Sequence, residues 1–118
     1  LRVLVCGGRH YENRVRVYSV LDYIHKPTPI TLLIHGAGFG TDILAGQWAA
    51  ARGVKVYAIP ALWDVYGKKA GPIRNQMMID GGKPEMVVAF PGGRGTADMI
   101  ARANRVPGIK VTILGPDA

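Results

Sequence analysis

The sequence predicts an α/β domain, a three-layer sandwich built on a five-stranded parallel sheet of order 3-2-1-4-5. Three observations predict it. Short apolar runs alternate with segments of helical periodicity along the whole chain. Five such runs separated by four helical segments suit a parallel sheet with right-handed crossovers and helices on both faces. Glycine clusters follow the first, second and fourth runs, where strands hand over to helices. At 118 residues the chain fits one domain, residues 1–118, with no linker, repeat or low-complexity segment.

Residues 2–6 (RVLVC) read as a buried strand that stops at Gly7-Gly8. Asn13 is placed to cap a helix over 14–25, whose apolar face is Val17, Val20, Leu21 and Ile24. Pro27 and Pro29 end it. Residues 30–35 (ITLLIH) are apolar throughout, as a strand covered on both faces should be. The loop GAGFGT leads to a helix over 42–52 with Leu44, Trp48 and Ala51 on one side, closed by Gly53. Residues 54–59 are a third strand. A long loop, PALWDVYGKKAG, reaches Pro72, a favourable first helical residue, and a short helix to Asp80 with Ile73, Met77 and Met78 as apolar contacts. Residues 86–90 are a fourth strand, PGGRGT precedes a helix over 97–105, and residues 109–114 are the last strand.

Composition narrows the function classes. Net charge is +7, with 15 Lys and Arg, which favours anionic partners. The single cysteine, Cys6, excludes a disulfide within the chain and reads as a small buried hydrophobe. No apolar stretch approaches the roughly 18 residues of a membrane span, and no signal peptide is visible, so no membrane role and a cytoplasmic location are expected. His10, His25 and His35 share no ligand spacing with one another or with Cys6, so no metal is expected and no cofactor is assigned. Neither a nucleophile elbow nor a G-K-[ST] phosphate loop occurs.

In a doubly wound sheet, ligands bind beyond the carboxyl ends of the strands where strand order reverses. For order 3-2-1-4-5 the loops there are Gly7-Gly8-Arg9-His10 and PGGRGT (Pro91, Gly92, Gly93, Arg94, Gly95, Thr96), with Gly36-Ala37-Gly38 and Asp42 beside them. PGGRGT is the strongest signal. Glycines let backbone N–H groups face an anion at a helix N-terminus, Arg94 supplies a forked donor, and Thr96 either caps the helix or donates to phosphate. Asp42 is either a helix N-terminal charge or an acceptor for ribose hydroxyls. His35 is a structural histidine or a catalyst. Arg74 and Asn75 fall in the first turn of their helix, where Arg74 meets a phosphate or leaving group, or is solvated. Trp63 and Tyr66 either stack on a base, plug a hydrophobic gap or meet another subunit.

Taken together, GGR, HGAGFGTDILAGQWA, GPIRNQMM and VVAFPGGRGTADM resemble the YspA/YpsA-related branch of the SLOG superfamily, from Val3 to about Ile113. The resemblance implies a Rossmann-like fold and a pocket for a nucleotide or nucleotide-derived ligand, sensed or processed there. The related LOG enzymes cleave the base from nucleoside monophosphates and share PGG-x-GT-x-x-E with an upstream arginine. Here Arg74 matches that arginine, but Met99 stands at the glutamate position and Asp98 is the nearest carboxylate. By that analogy Arg74 orients substrate while Asp42 or Asp98 supports the sugar cation during N-glycosidic hydrolysis. The related DprA proteins bind single-stranded DNA, which net charge +7 also suits; few aromatics outside the core are available for stacking. A homo-oligomer through Trp48 or Met77/Met78 is compatible with the sequence. The leading expectation is nucleotide binding, with phosphate held by residues 92–96.

Overall fold

A computed structural model describes residues 1–117. The elements are β1 (Arg2–Cys6), α1 (Arg14–His25), β2 (Leu32–His35), α2 (Thr41–Arg52), β3 (Lys55–Ala58), α3 (Trp63–Tyr66), α4 (Ala70–Gly82), β4 (Met86–Ala89), α5 (Arg94–Asn104) and β5 (Lys110–Ile113), with a 3-10 turn over Gly67–Lys69. All strand pairings are parallel and the order is β3-β2-β1-β4-β5, the order the sequence predicts.

Strand alternation splits the core into two layers. Val3 and Val5 face α1 and α2, where Val17, Leu21, Leu44, Ala45 and Trp48 are buried. Leu4 and Cys6 face α4 and α5, where Met78, Ile79, Met99 and Ala103 are buried. Trp48 is fully buried, yet its indole Nε1–H finds a partner, donating to Asp22 Oδ1 at 2.8 Å. Arg52 grips the same carboxylate with two further hydrogen bonds. Asn13 caps α1 by accepting from the Arg16 amide at 3.0 Å.

Several local expectations change. Ala51 is exposed, and Ala45 and Ala49 take the buried places on α2. The loop after β3 is not irregular, because Trp63–Tyr66 forms a helical turn. α4 then begins at Ala70, so Pro72 is its third residue, where a missing N–H still costs no intrahelical bond. Arg74 and Asn75 therefore lie in its second turn rather than its first. Met77 is exposed, and Ile79 packs in its stead.

The register brings the loops together. Leu4 pairs with Ile34 and Cys6 with Ala89, so the chain leaves β1, β2 and β4 at one level. Three of the glycine-rich turns thus emerge side by side at the carboxyl edge, β1 lying between β2 and β4.

Candidate functional site

The turn after β1 is stitched to both neighbours. The Gly8 amide donates to Pro91 O at 2.8 Å, and the Phe90 amide donates to Cys6 O at 2.9 Å. Gly8 O in turn accepts from the Thr41 amide at 3.2 Å and from the Thr41 hydroxyl at 3.1 Å. Such close approach requires bare backbone. Gly40 has φ +64°, and a Cβ there would lie 2.6 Å from the Arg9 carbonyl carbon. A Cβ on Gly92 would lie 2.8 Å from the Gly8 amide nitrogen and would overlap the Thr96 side chain. Arg9 is exposed and stands over the Phe39 ring, its guanidinium carbon 5.9 Å from the centroid.

The turn after β2 is held by its own side chains. Ala37 adopts φ +55° and donates its amide to His35 Nδ1 at 3.0 Å. The Gly38 amide donates to Asp42 Oδ2 at 3.0 Å. Arg74 reaches across from α4, donating from Nη1 to Gly36 O. Burial pushes the Asp42 carboxyl above its ordinary value, against the pull of the Gly38 amide and of His35 and Arg74. Burial likewise lowers His35, with Asp42 opposing and Arg74 reinforcing. Burial, with the Asp42 charge adding to it, pushes the Cys6 thiol up to about 12, which makes it inert at neutral pH.

The turn after β4 is arranged otherwise. α5 starts at Arg94 with Gly93 as its N-cap and no side-chain cap. Thr96 therefore does not take the cap role, one of the two the sequence leaves open for it; it is the third helical residue and is buried. The helix begins three residues early because Gly93 can take the cap position and its carbonyl accepts from the Ala97 amide at 3.0 Å. The amides of Arg94, Gly95 and Thr96 have no protein partner among the described residues. Gly92, Gly93, Arg94 and Gly95 are exposed. Free amides at an exposed helix N-terminus suit an anion chemically, and the first residue of that helix is an arginine.

The structure distributes the other sequence candidates between this edge and its supports. Asn75 is buried and fully occupied: it donates to Gly95 O at 3.1 Å and to Asp98 Oδ2 at 2.9 Å, and accepts from Arg74 Nε at 3.1 Å. It fixes the first turn of α5. Asp98 also accepts from Arg102 Nε at 2.8 Å. Burial alone would raise Asp98, but the hydrogen bonds from Arg102 and Asn75, with the charges of Arg102 and Arg105, hold it below its ordinary value. Met99, at the position where LOG enzymes carry glutamate, is fully buried in the core. Trp63 is 58% exposed and rests against Gly71 at the α3–α4 junction. Sequence reasoning overlooked Thr41 and Phe39. The signal was present, because Gly38-Phe39-Gly40-Thr41 repeats the G-x-G-T lettering of Gly93-Arg94-Gly95-Thr96.

Comparison with known proteins shows the family. The family model of the YspA, cpYpsA-related SLOG family matches residues 1–66, more than half of the chain. The chain belongs to that family. Among curated proteins, the gene 61 protein of Mycobacterium phage D29 is similar to it, 34% identical over 122 residues, covering 97% of this chain and 96% of that protein. The SLOG match spans the turns after β1 and β2, and PGGRGT lies beyond it, within the length over which the phage protein is similar. Among the described residues no helix is long and apolar enough to cross a membrane, and no group of three His, Cys, Asp or Glu side chains could hold a metal ion.

Proposed function

We propose that this SLOG domain binds a nucleotide or nucleotide-derived ligand, taking its phosphate at the first turn of α5 with the open amides of Arg94, Gly95 and Thr96 and the Arg94 side chain. One observation carries the reading: the three amides opening α5 are free beside the exposed stretch Gly92–Gly95, whereas at the entry to α2, where the Asp42 and Ile43 amides are also open, those of Gly38 and Thr41 are engaged within the protein. Backbone donors left open at an exposed helix start favour an anion, and the family points to a nucleotide-related one. In this reading Gly7, Gly8 and Arg9 form the frame beside the phosphate, while Gly36, Ala37, Gly38 and Asp42 lie toward the sugar.

The test is a titration of the 15N-labelled protein with AMP, GMP, CMP, UMP and their diphosphates. Amide resonances of 94–96 are expected to move first and furthest. Replacing Arg94 by Ala removes a charged hydrogen bond and should weaken binding by about ten-fold or more, with stability unchanged because the side chain is exposed. Failure of every nucleotide to shift these resonances overturns the reading.

A second reading, hydrolysis of the N-glycosidic bond of a nucleoside monophosphate, is favoured by Asp42, a partly buried carboxyl held above its ordinary value near Arg74. Asp98, already paired with Arg102 and Asn75, is a supporting residue in this reading. Release of free base that is lost in Asp42→Asn and kept in Asp98→Asn would support it; binding with no base released rejects it.

A further inference from the structure

We propose that Phe39 is the platform on which the heterocyclic base of the ligand stacks, with Arg9 as its cationic partner; this rests on the phosphate reading above. Phe39 is 66% exposed and belongs to neither core layer. A phenyl ring left in water at the tip of a turn gives up the gain of burial unless something covers it. Its backbone is nonetheless fixed on both sides. Gly38 is tied to Asp42, and Gly40 is wedged against Gly8 O and Arg9 in a conformation that side chains avoid. The ring is thus presented on a rigid mount, which lowers the entropy lost when a planar group settles on it.

Its position fits a base whose phosphate sits on α5. Gly40 touches Gly8, Gly8 is bonded to Pro91, and Pro91 leads directly into Gly92 and Gly93. β2 and β4 flank β1, so the two turns stand about two strand spacings apart, roughly 10 Å. A ribose between base and phosphate would then lie over the β1 turn, near Asp42. The Phe39 ring already attracts a planar cation, Arg9. Arg9 occupies one face of the ring, so an incoming base stacks on the other, and the nearby positive charge favours the electron-rich carbonyl and ring-nitrogen edges of a heterocycle. Trp63, which the sequence offers for base stacking among other roles, sits at the α3–α4 junction against Gly71.

The experiment compares Phe39→Ala and Phe39→Trp with the unaltered protein, using AMP, GMP, ribose 5-phosphate and inorganic phosphate as probes. Phe39→Ala should weaken AMP and GMP binding by about 5- to 100-fold and leave ribose 5-phosphate and phosphate binding unchanged. Phe39→Trp should restore affinity, with tryptophan fluorescence quenched on nucleotide addition. Thermal unfolding of both variants should match that of the unaltered protein. Equal loss for ribose 5-phosphate, or no loss for the nucleotides, overturns the platform while leaving the phosphate site standing. If no probe binds even the unaltered protein, the phosphate reading fails first. Affinity that grows with the length of an oligothymidylate and is lost in Phe39→Ala replaces the mononucleotide by single-stranded DNA and overturns the proposal as stated.

Discussion

Gly38–Thr41 and Gly93–Thr96 carry the same G-x-G-T lettering, and each joins a strand to a helix at one edge of the sheet, yet they end in opposite states. In the first, Gly40 is the cap, Thr41 opens α2, and Gly38 and Thr41 spend their amides on Asp42 and Gly8. In the second, Gly93 is the cap, Thr96 lies two residues deeper in its helix, and the Arg94, Gly95 and Thr96 amides have no partner among the described residues. A shift of two residues in where the helix begins separates a strut from the proposed receptor. Motif lettering alone cannot make that distinction, because it depends on which neighbouring carbonyl or carboxylate is within reach.

The most damaging substitutions are those at the glycines that join the two turns. Gly92→Ala forces a methyl against Thr96 and the Gly8 amide, and Gly40→Ala forces one against Gly8 and Arg9 at a φ of +64°. Each should cost about 2 kcal/mol or more of stability, read as a lowered urea midpoint. The pair separates strut from receptor: at temperatures where both variants remain folded, Gly92→Ala should lose nucleotide binding while Gly40→Ala retains part of it. Equal retention would break the contrast.

Much of the architecture was legible in the sequence. The strand–helix alternation and the Asn13 cap followed from periodicity and turn residues, whose physics is local, whereas the strand order came from the doubly wound arrangement that such alternation suits. Misplacements arose where a tertiary partner decided. The start of α4 depends on the short helix at Trp63–Tyr66, which few residues announce. The start of α5 depends on Gly93 taking the cap position, one of the two roles the sequence leaves open for Thr96. Asn75 and Asp98 look like site residues by type, but Gly95 O and Arg102 claim them, and those contacts span 20 and 4 positions of sequence. Exposed Phe39 escaped notice because an aromatic amid glycines has no periodicity to flag it.

A smaller effect sharpens the comparison. Gly95 is the second residue of α5 with open space around its missing Cβ, unlike Gly40. Gly95→Ala should therefore raise stability by about 0.5 kcal/mol through helix propensity, while the added methyl obstructs a phosphate approaching the bare turn. A gain in unfolding temperature together with weaker nucleotide binding marks a glycine kept for function at some cost in stability. A gain in temperature with undiminished binding would move the phosphate away from Gly95.

The smallest expected effect lies in the strut itself and is read by pH. The neutral His35 ring accepts the Ala37 amide through Nδ1, and a protonated ring has no lone pair there to do so. Burial places His35 below its ordinary value of 6.5, so the unfolded chain takes up the proton first. The stabilisation is complete above that value and is lost as pH falls from 6.5 toward the folded value. Asp42 works with the opposite sign. Its folded value is raised above the ordinary 3.8, so stability falls as pH rises from 3.8 through the raised value, and protonating it on acidification returns that loss. Denaturant midpoints should therefore decline below pH 6.5 and then flatten as Asp42 takes up its proton. In His35→Gln the decline that sets in at 6.5 should vanish, leaving only the loss at more acid pH where Asp22, Glu85, Asp98 and Asp117, all held below their ordinary values, take up protons. In Asp42→Asn, whose amide oxygen can still accept from Gly38, the decline should persist without the flattening. An unchanged profile in His35→Gln would mean that the Ala37 turn holds without its histidine, and the strut would then rest on Asp42 and Gly8 alone.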